Sequence, residues 1–157
     1  MISRYLVFVI SILPTFVLGQ EAGTKPKHHE EHYHLSVFGG YTTDYKGKIG
    51  YKLGFEYEGR LNDYVGLGGT FDFTGADYEI FAFSVGADFY PFKFPLIPGI
   101  LVGAKNYESN WDPFARIIVL YEFPLGKMSV GPVVMYDFFP NYRDIMSYGV
   151  AVGYSLH

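Results

Sequence analysis

KIGYKLGFEYEGR, residues 48–60, is the stretch that decides the fold. Every second residue is apolar or aromatic: Ile49, Tyr51, Leu53, Phe55 and Tyr57. Between them stand Lys48, Gly50, Lys52, Gly54, Glu56, Glu58 and Arg60. A period of two marks a β-strand with two chemically opposite faces. The alternation recurs almost to the end of the chain, and no helical segment is left over to cover the apolar faces. Such faces belong in lipid, with the polar faces lining a lumen.

Working outward, residues 1–19 read as a secretory signal. Arg4 supplies positive charge, an apolar run extends from Tyr5 to Leu13, and Pro14 breaks it. Val17, Leu18 and Gly19 precede the expected mature start at Gln20. A membrane anchor is the competing reading, but it needs roughly 20 apolar residues. Residues 20–32 are polar and lack periodicity, which predicts a disordered His/Glu-rich leader. The 157-residue chain then holds one domain, a barrel over residues 33–157. The absence of cysteine argues against a lipid anchor, disulfides and zinc–thiolate sites. A net charge of −4 offers no basic field for nucleic acid. Aromatic residues make up 20% of the chain, an excess that girdles at two membrane interfaces would absorb.

Eight alternating segments are predicted, at about 33–42, 48–59, 64–74, 79–90, 98–106, 113–123, 127–138 and 145–156. Their length suits a tilted bilayer crossing. The fold class is therefore all-β, an eight-stranded antiparallel up-and-down transmembrane β-barrel. The sixth segment is the least regular, because Ile118 and Leu120 share a face with Arg116 and Glu122. Pro132 falls inside the seventh, where a bulge would have to absorb it. Expected outer connections are 43–47, 75–78, 107–112 and 140–144. Expected periplasmic turns are 60–63, 91–97 and 124–126, with Pro91, Pro95 and Pro98 assigned to a turn. Trp111 is assigned to the third outer loop, as an interface anchor or a contact site.

By the alternation, the lumen holds Lys48, Lys52, Arg60, Lys105 and Arg116 against Glu56, Glu58, Asp72, Asp88, Glu122 and Asp137. Eight strands leave room for side chains and little else, and buried ions must pair. The expectation is a charge network that plugs the barrel; the competing reading is a narrow gated conduit for protons or small ions. Glu56 and Glu58 lie among bases without a nucleophile, so no catalytic residue and no enzymatic activity is expected. The candidate metal ligands are His28, His29, His32 and His34, with Glu30 and Glu31 between them. A closed meander brings the start of the first strand beside the end of the last, hence His34 beside His157. Imidazole and carboxylate together suit a divalent transition metal. The competing reading is a solvated rim, and no other cofactor is expected.

The terminal strand SYGVAVGYSLH spaces Ser147, Gly149, Val152 and Tyr154 like the signal read by the barrel-assembly machinery, with Leu156 and His157 beyond the aromatic position. Over residues 33–157 the chain resembles the small eight-stranded outer-membrane barrels of Gram-negative bacteria, the outer-membrane protein A/X-like kind. HHEEHYHLSVFGGYT and GFEYEGRL are similar to uncharacterised small barrels that begin with a histidine-rich leader. The resemblance implies an outer-membrane location, lipid as the surrounding partner, assembly through the C-terminal strand and a monomer. It implies no activity. The expected role is structural, binding or minor transport. The alternative is a soluble secreted or periplasmic calycin-like barrel enclosing an apolar ligand, with charges outside and aromatics inside.

Overall fold

The computed structural model describes residues 33–91, 95–107, 110–140 and 143–156. The signal, the leader through residue 32 and His157 lie outside the described residues. The strands are β1 (Tyr33–Asp44), β2 (Ile49–Arg60), β3 (Val65–Thr74), β4 (Ile80–Phe89), β5 (Leu96–Tyr107), β6 (Asn110–Tyr121), β7 (Met128–Phe138) and β8 (Ile145–Leu156). After Glu122 the short stretch Phe123–Leu125 continues β6 in unchanged register: Leu120 pairs with Val133, and Phe123 with Val130. All neighbours are antiparallel, and β1 pairs with β8, closing eight strands into a barrel.

The closure is staggered. Following register partners around the barrel, Tyr33 leads to Gly59, Leu67, Ala87, Ile100, Ile117, Tyr136 and Met146, and returns to β1 at Thr43. A ten-residue displacement over eight strands tilts them roughly 40° from the axis and keeps the interior narrow. Close approach at the seam is possible because Gly40 faces Gly149 across it. A Cβ on either would collide with backbone of the other strand.

Alternation sorts the side chains cleanly. Val37, Leu53, Phe55, Phe83, Val102 and Val150 are exposed on the outside. Ser36, Lys52, Glu56, Asp72, Ser84, Arg116 and Asp137 are buried inside. Tyr51, Tyr41 and Tyr148 are register neighbours near the outer end, and Tyr33 stacks on Tyr57 near the other. Between these two aromatic levels the surface is aliphatic and phenylalanine-rich, as a bilayer core demands. Charges inside and aromatics outside are the reverse of what a calycin-like barrel requires.

Four local expectations change. Pro98 is not in a turn: β5 starts at Leu96, and Pro98 pairs with Val119 of β6. The β4 ladder ends at Gly99, so the missing amide donor of Pro98 has no partner to disappoint. Pro132 stays in β7, paired with Val150, without a bulge. The ladder to β6 yields instead, where Tyr121 and Glu122 stand opposite Pro132 and Gly131. Trp111 is not in a loop. It lies in β6 opposite Asn106, faces outward and packs on Phe83. Finally, Pro124 belongs to a strand, and the turn narrows to Gly126 and Lys127, with Gly126 at φ 73°.

Arginine at Val150 would sit on the lipid face near mid-height and should cost about 2–4 kcal/mol. Ala151→Ser points inward and should cost clearly less. Urea-unfolding midpoints in phospholipid vesicles, with heat-modifiable gel mobility as a fold check, should separate the two; equal tolerance would contradict a lipid-facing Val150.

Candidate functional site in the barrel lumen

The inward charges fall into two groups of opposite sign. The first is a network centred on Arg116, whose side chain is fully buried. Its Nε donates to Asp137 Oδ1 at 2.6 Å and its Nη2 to Asp137 Oδ2 at 3.0 Å. Nη1 donates to Asp72 Oδ2 at 2.7 Å and to Thr70 Oγ1 at 3.1 Å. The planar fork of arginine is the group suited to holding two carboxylates at once. Lys52 Nζ bridges the same pair, 3.1 Å from Asp137 and 3.3 Å from Asp72. Lys105 Nζ stands 3.5 Å from Asp137 Oδ2 and 3.9 Å from the centre of the Phe139 ring. It has no hydrogen-bond partner among the described residues, so ring and Coulomb attraction hold it. Three bases thus face two acids.

The second group lies toward the periplasmic end. Glu56, Glu58, Asp88, Glu122 and His34 line a cavity of ≈ 20 Å³ with Ser36, Tyr90, Ile97, Ile118 and Leu120. Glu56 accepts from Ser36 Oγ at 3.3 Å, and Glu58 accepts from the Tyr90 hydroxyl. Burial, then the charge of Glu58, push the Tyr90 hydroxyl above the ordinary phenol range, so it acts as the donor. His34 Nε2 is 3.7 Å from Glu122 Oε1, and its Nδ1 is 3.4 Å from Ser155 Oγ. Arg60 lies over the Tyr90 ring, 3.9 Å from its centre. Four acids face one arginine here.

An apolar cluster lies between the groups on the β1, β5, β6, β7 and β8 side, while the hydrogen-bonded hydroxyls of Thr70 and Ser84 fill the same level on β3 and β4. Phe38, Leu101, Ile118, Val133, Met135 and Ala151 form one buried cluster inside the barrel. Along β6 the inward positions run Arg116, Ile118, Leu120, Glu122; along β7 they run Asp137, Met135, Val133. A second cluster, Tyr78, Ile80 and Ile145 with Phe139 against it, caps the network on the outer side.

The eleven charges expected to pair in one nearly balanced lumen network are therefore divided. Lys52, Asp72, Lys105, Arg116 and Asp137 come together, whereas Glu56, Glu58, Arg60, Asp88 and Glu122 lie at the periplasmic end. Lys48 is outside both, at the outer rim, with Nζ 3.4 Å from the Asp77 carbonyl. The apolar cluster itself was missed. Its one visible trace was the lapse at Ile118 and Leu120, which mark where the lumen turns apolar. Of the proposed metal ligands only His34 is described; the register sets it opposite Ser155, two residues from the chain end.

No protein-family model and no curated protein matches this chain. Solved structures do. Ail, the attachment invasion locus protein of Yersinia pestis, superposes with TM-score 0.60 at 14% identity, covering 81% of this chain and 99% of that one. The N-terminal β-barrel domain of Pseudomonas aeruginosa OprF gives TM-score 0.60 at 16% identity, covering 80% and 97%. Neisserial surface protein A gives 0.58 at 9% identity, covering 79% and 96%. At these identities the likeness establishes the fold, that of small eight-stranded outer-membrane β-barrels.

Arg116→Ala leaves Asp72 and Asp137 to Lys52 and Lys105, strips both carboxylates of the fork that holds them and should cost about 3–5 kcal/mol. Arg116→Met combined with Asp137→Leu should cost much less than the sum of the single changes, because it removes charge from both sides. Denaturant titration of the four proteins of this cycle in vesicles measures the coupling.

Proposed function

We propose that the protein is an outer-membrane barrel with a structural or binding role, its lumen closed to steady ion flow. The observation carrying this reading is the filled level between the Arg116 network and the acid-lined cavity, an apolar cluster on one side and the mutually bonded Thr70 and Ser84 hydroxyls on the other. An ion crossing would shed its water among Phe38, Leu101, Ile118 and Met135, at a cost that these apolar groups and two hydroxyls already bonded to each other do not return. The outward apolar belt and the fold of known outer-membrane barrels support the location. Among the described residues no lumen group is arranged as nucleophile and base with an approach path for substrate, which favours a non-enzymatic role. The purified protein should show no stable unitary current in planar bilayers, and Phe38→Ala with Met135→Ala should raise brief openings. Large steady currents from the unaltered protein would overturn the reading.

Metal capture at the chain ends is a second reading, favoured by the register that sets His34 beside the end of β8. His28, His29, His32, His34 and His157 would supply imidazoles for a divalent transition metal. Calorimetric titration with zinc should give affinity tighter than millimolar, abolished by deleting residues 20–32 together with His157. Unchanged affinity in that deletion would reject it.

A further inference from the structure

We propose that the acid-lined cavity at the periplasmic end of the lumen binds one hard divalent cation of the calcium or magnesium class. The site goes beyond the reading above, since it uses carboxylates inside the barrel and none of the leader histidines. Glu56 and Glu58 are only 8% and 3% exposed, yet Oε1 of each has no hydrogen-bond partner among the described residues. Both side chains line the cavity with Asp88 and Glu122. An ionised carboxylate buried without a donor is costly, and four beside one arginine compound the cost. The hydroxyl partners, Ser36 Oγ for Glu56 and Tyr90 for Glu58, are neutral donors, and the other group in hydrogen-bond reach of Glu56 is a second acid, Asp88.

The surrounding backbone makes room for these groups. A Cβ on Gly66 would collide with Glu58 Oε1, one on Gly99 with Asp88 Oδ1, and one on Gly153 with His34 Nε2. Three polar side chains of the chamber are each seated over a glycine of a neighbouring strand. The cavity of ≈ 20 Å³ admits an occupant the size of a water molecule. Among the described residues no three acids or histidines already stand at direct metal-ligating distances. The ion therefore takes carboxylate oxygens from Glu56, Glu58 and Asp88 as they turn inward, with water completing its shell. An oxygen donor set of this kind, charged and without thiolate, suits calcium or magnesium.

The test is calorimetric titration of the full mature protein, refolded in detergent, with calcium chloride, magnesium chloride and zinc chloride. The expected result is one calcium or magnesium per barrel, with thermal unfolding shifted upward on binding. Glu56→Gln and Asp88→Asn should each weaken binding by roughly tenfold or more, since each removes a charged ligand. Both replacements keep side-chain shape and relieve repulsion, so the ion-free barrels should unfold no earlier than the unaltered one. Replacing His28, His29 and His32 with alanine should leave calcium affinity unchanged, which separates this site from metal capture by the leader. Absence of calcium and magnesium binding, or binding indifferent to Glu56→Gln and Asp88→Asn, would overturn the proposal. In the first case the carboxyls hold protons instead. The outcome is independent of whether the lumen conducts.

Discussion

Closure of the sheet is the constraint from which the rest of this structure follows. In hydrocarbon no water can satisfy an open strand edge, so every ladder must find a neighbour, including β1 with β8. The ten-residue stagger that closes the ladder also sets the strand tilt and the width of the interior. Gly40 and Gly149 serve that closure directly, because the seam strands approach too closely for a side chain at either position.

A narrow, closed interior turns every inward residue into a packing problem. Where the charges are complementary, the solution is tight. Arg116 reaches two carboxylates on different strands, and Lys52 completes the bridge. An arginine can do this because its donors are fixed in one plane, while a lysine brings a single point of charge. Above and below this network the barrel is filled by Tyr78, Ile80 and Ile145 on one side and by the Phe38 to Ala151 cluster, with Thr70 and Ser84, on the other. Dry neighbours strengthen the pairing they enclose, since little water screens it.

The periplasmic end has a different character. Its acids outnumber its bases, its strongest contacts use neutral hydroxyls, and it opens toward the chain termini. In a barrel otherwise filled and paired, chemistry that remains unfinished stands out. Glu56 and Glu58, on the periplasmic half of β2, are such a place.

Much of the architecture is legible without the structure, because alternation is a property of covalent geometry. Successive side chains of a strand must point to opposite faces, so the partition of Lys52, Glu56 and Arg116 from Phe55, Phe83 and Val150 follows from their spacing. So do the strand count and the meander, since short connections leave little choice. Which inward residues meet was not legible, because that depends on register between strands distant along the chain and on the stagger of closure. Spacing alone sees bases and acids in near balance. Only the assembled barrel separates them along its axis, bringing Lys105 and Arg116 to Asp137 and leaving Glu56 with Glu58 and Asp88. Pro98 and Trp111 were misplaced for a related reason: a residue's own turn or loop preference yields when a neighbouring strand continues to pair. The apolar cluster was hidden because spacing points Phe38, Val133 and Met135 inward without showing that they converge at one level. Their role, closing the lumen between two groups of opposite charge, exists only where strands far apart in the chain converge.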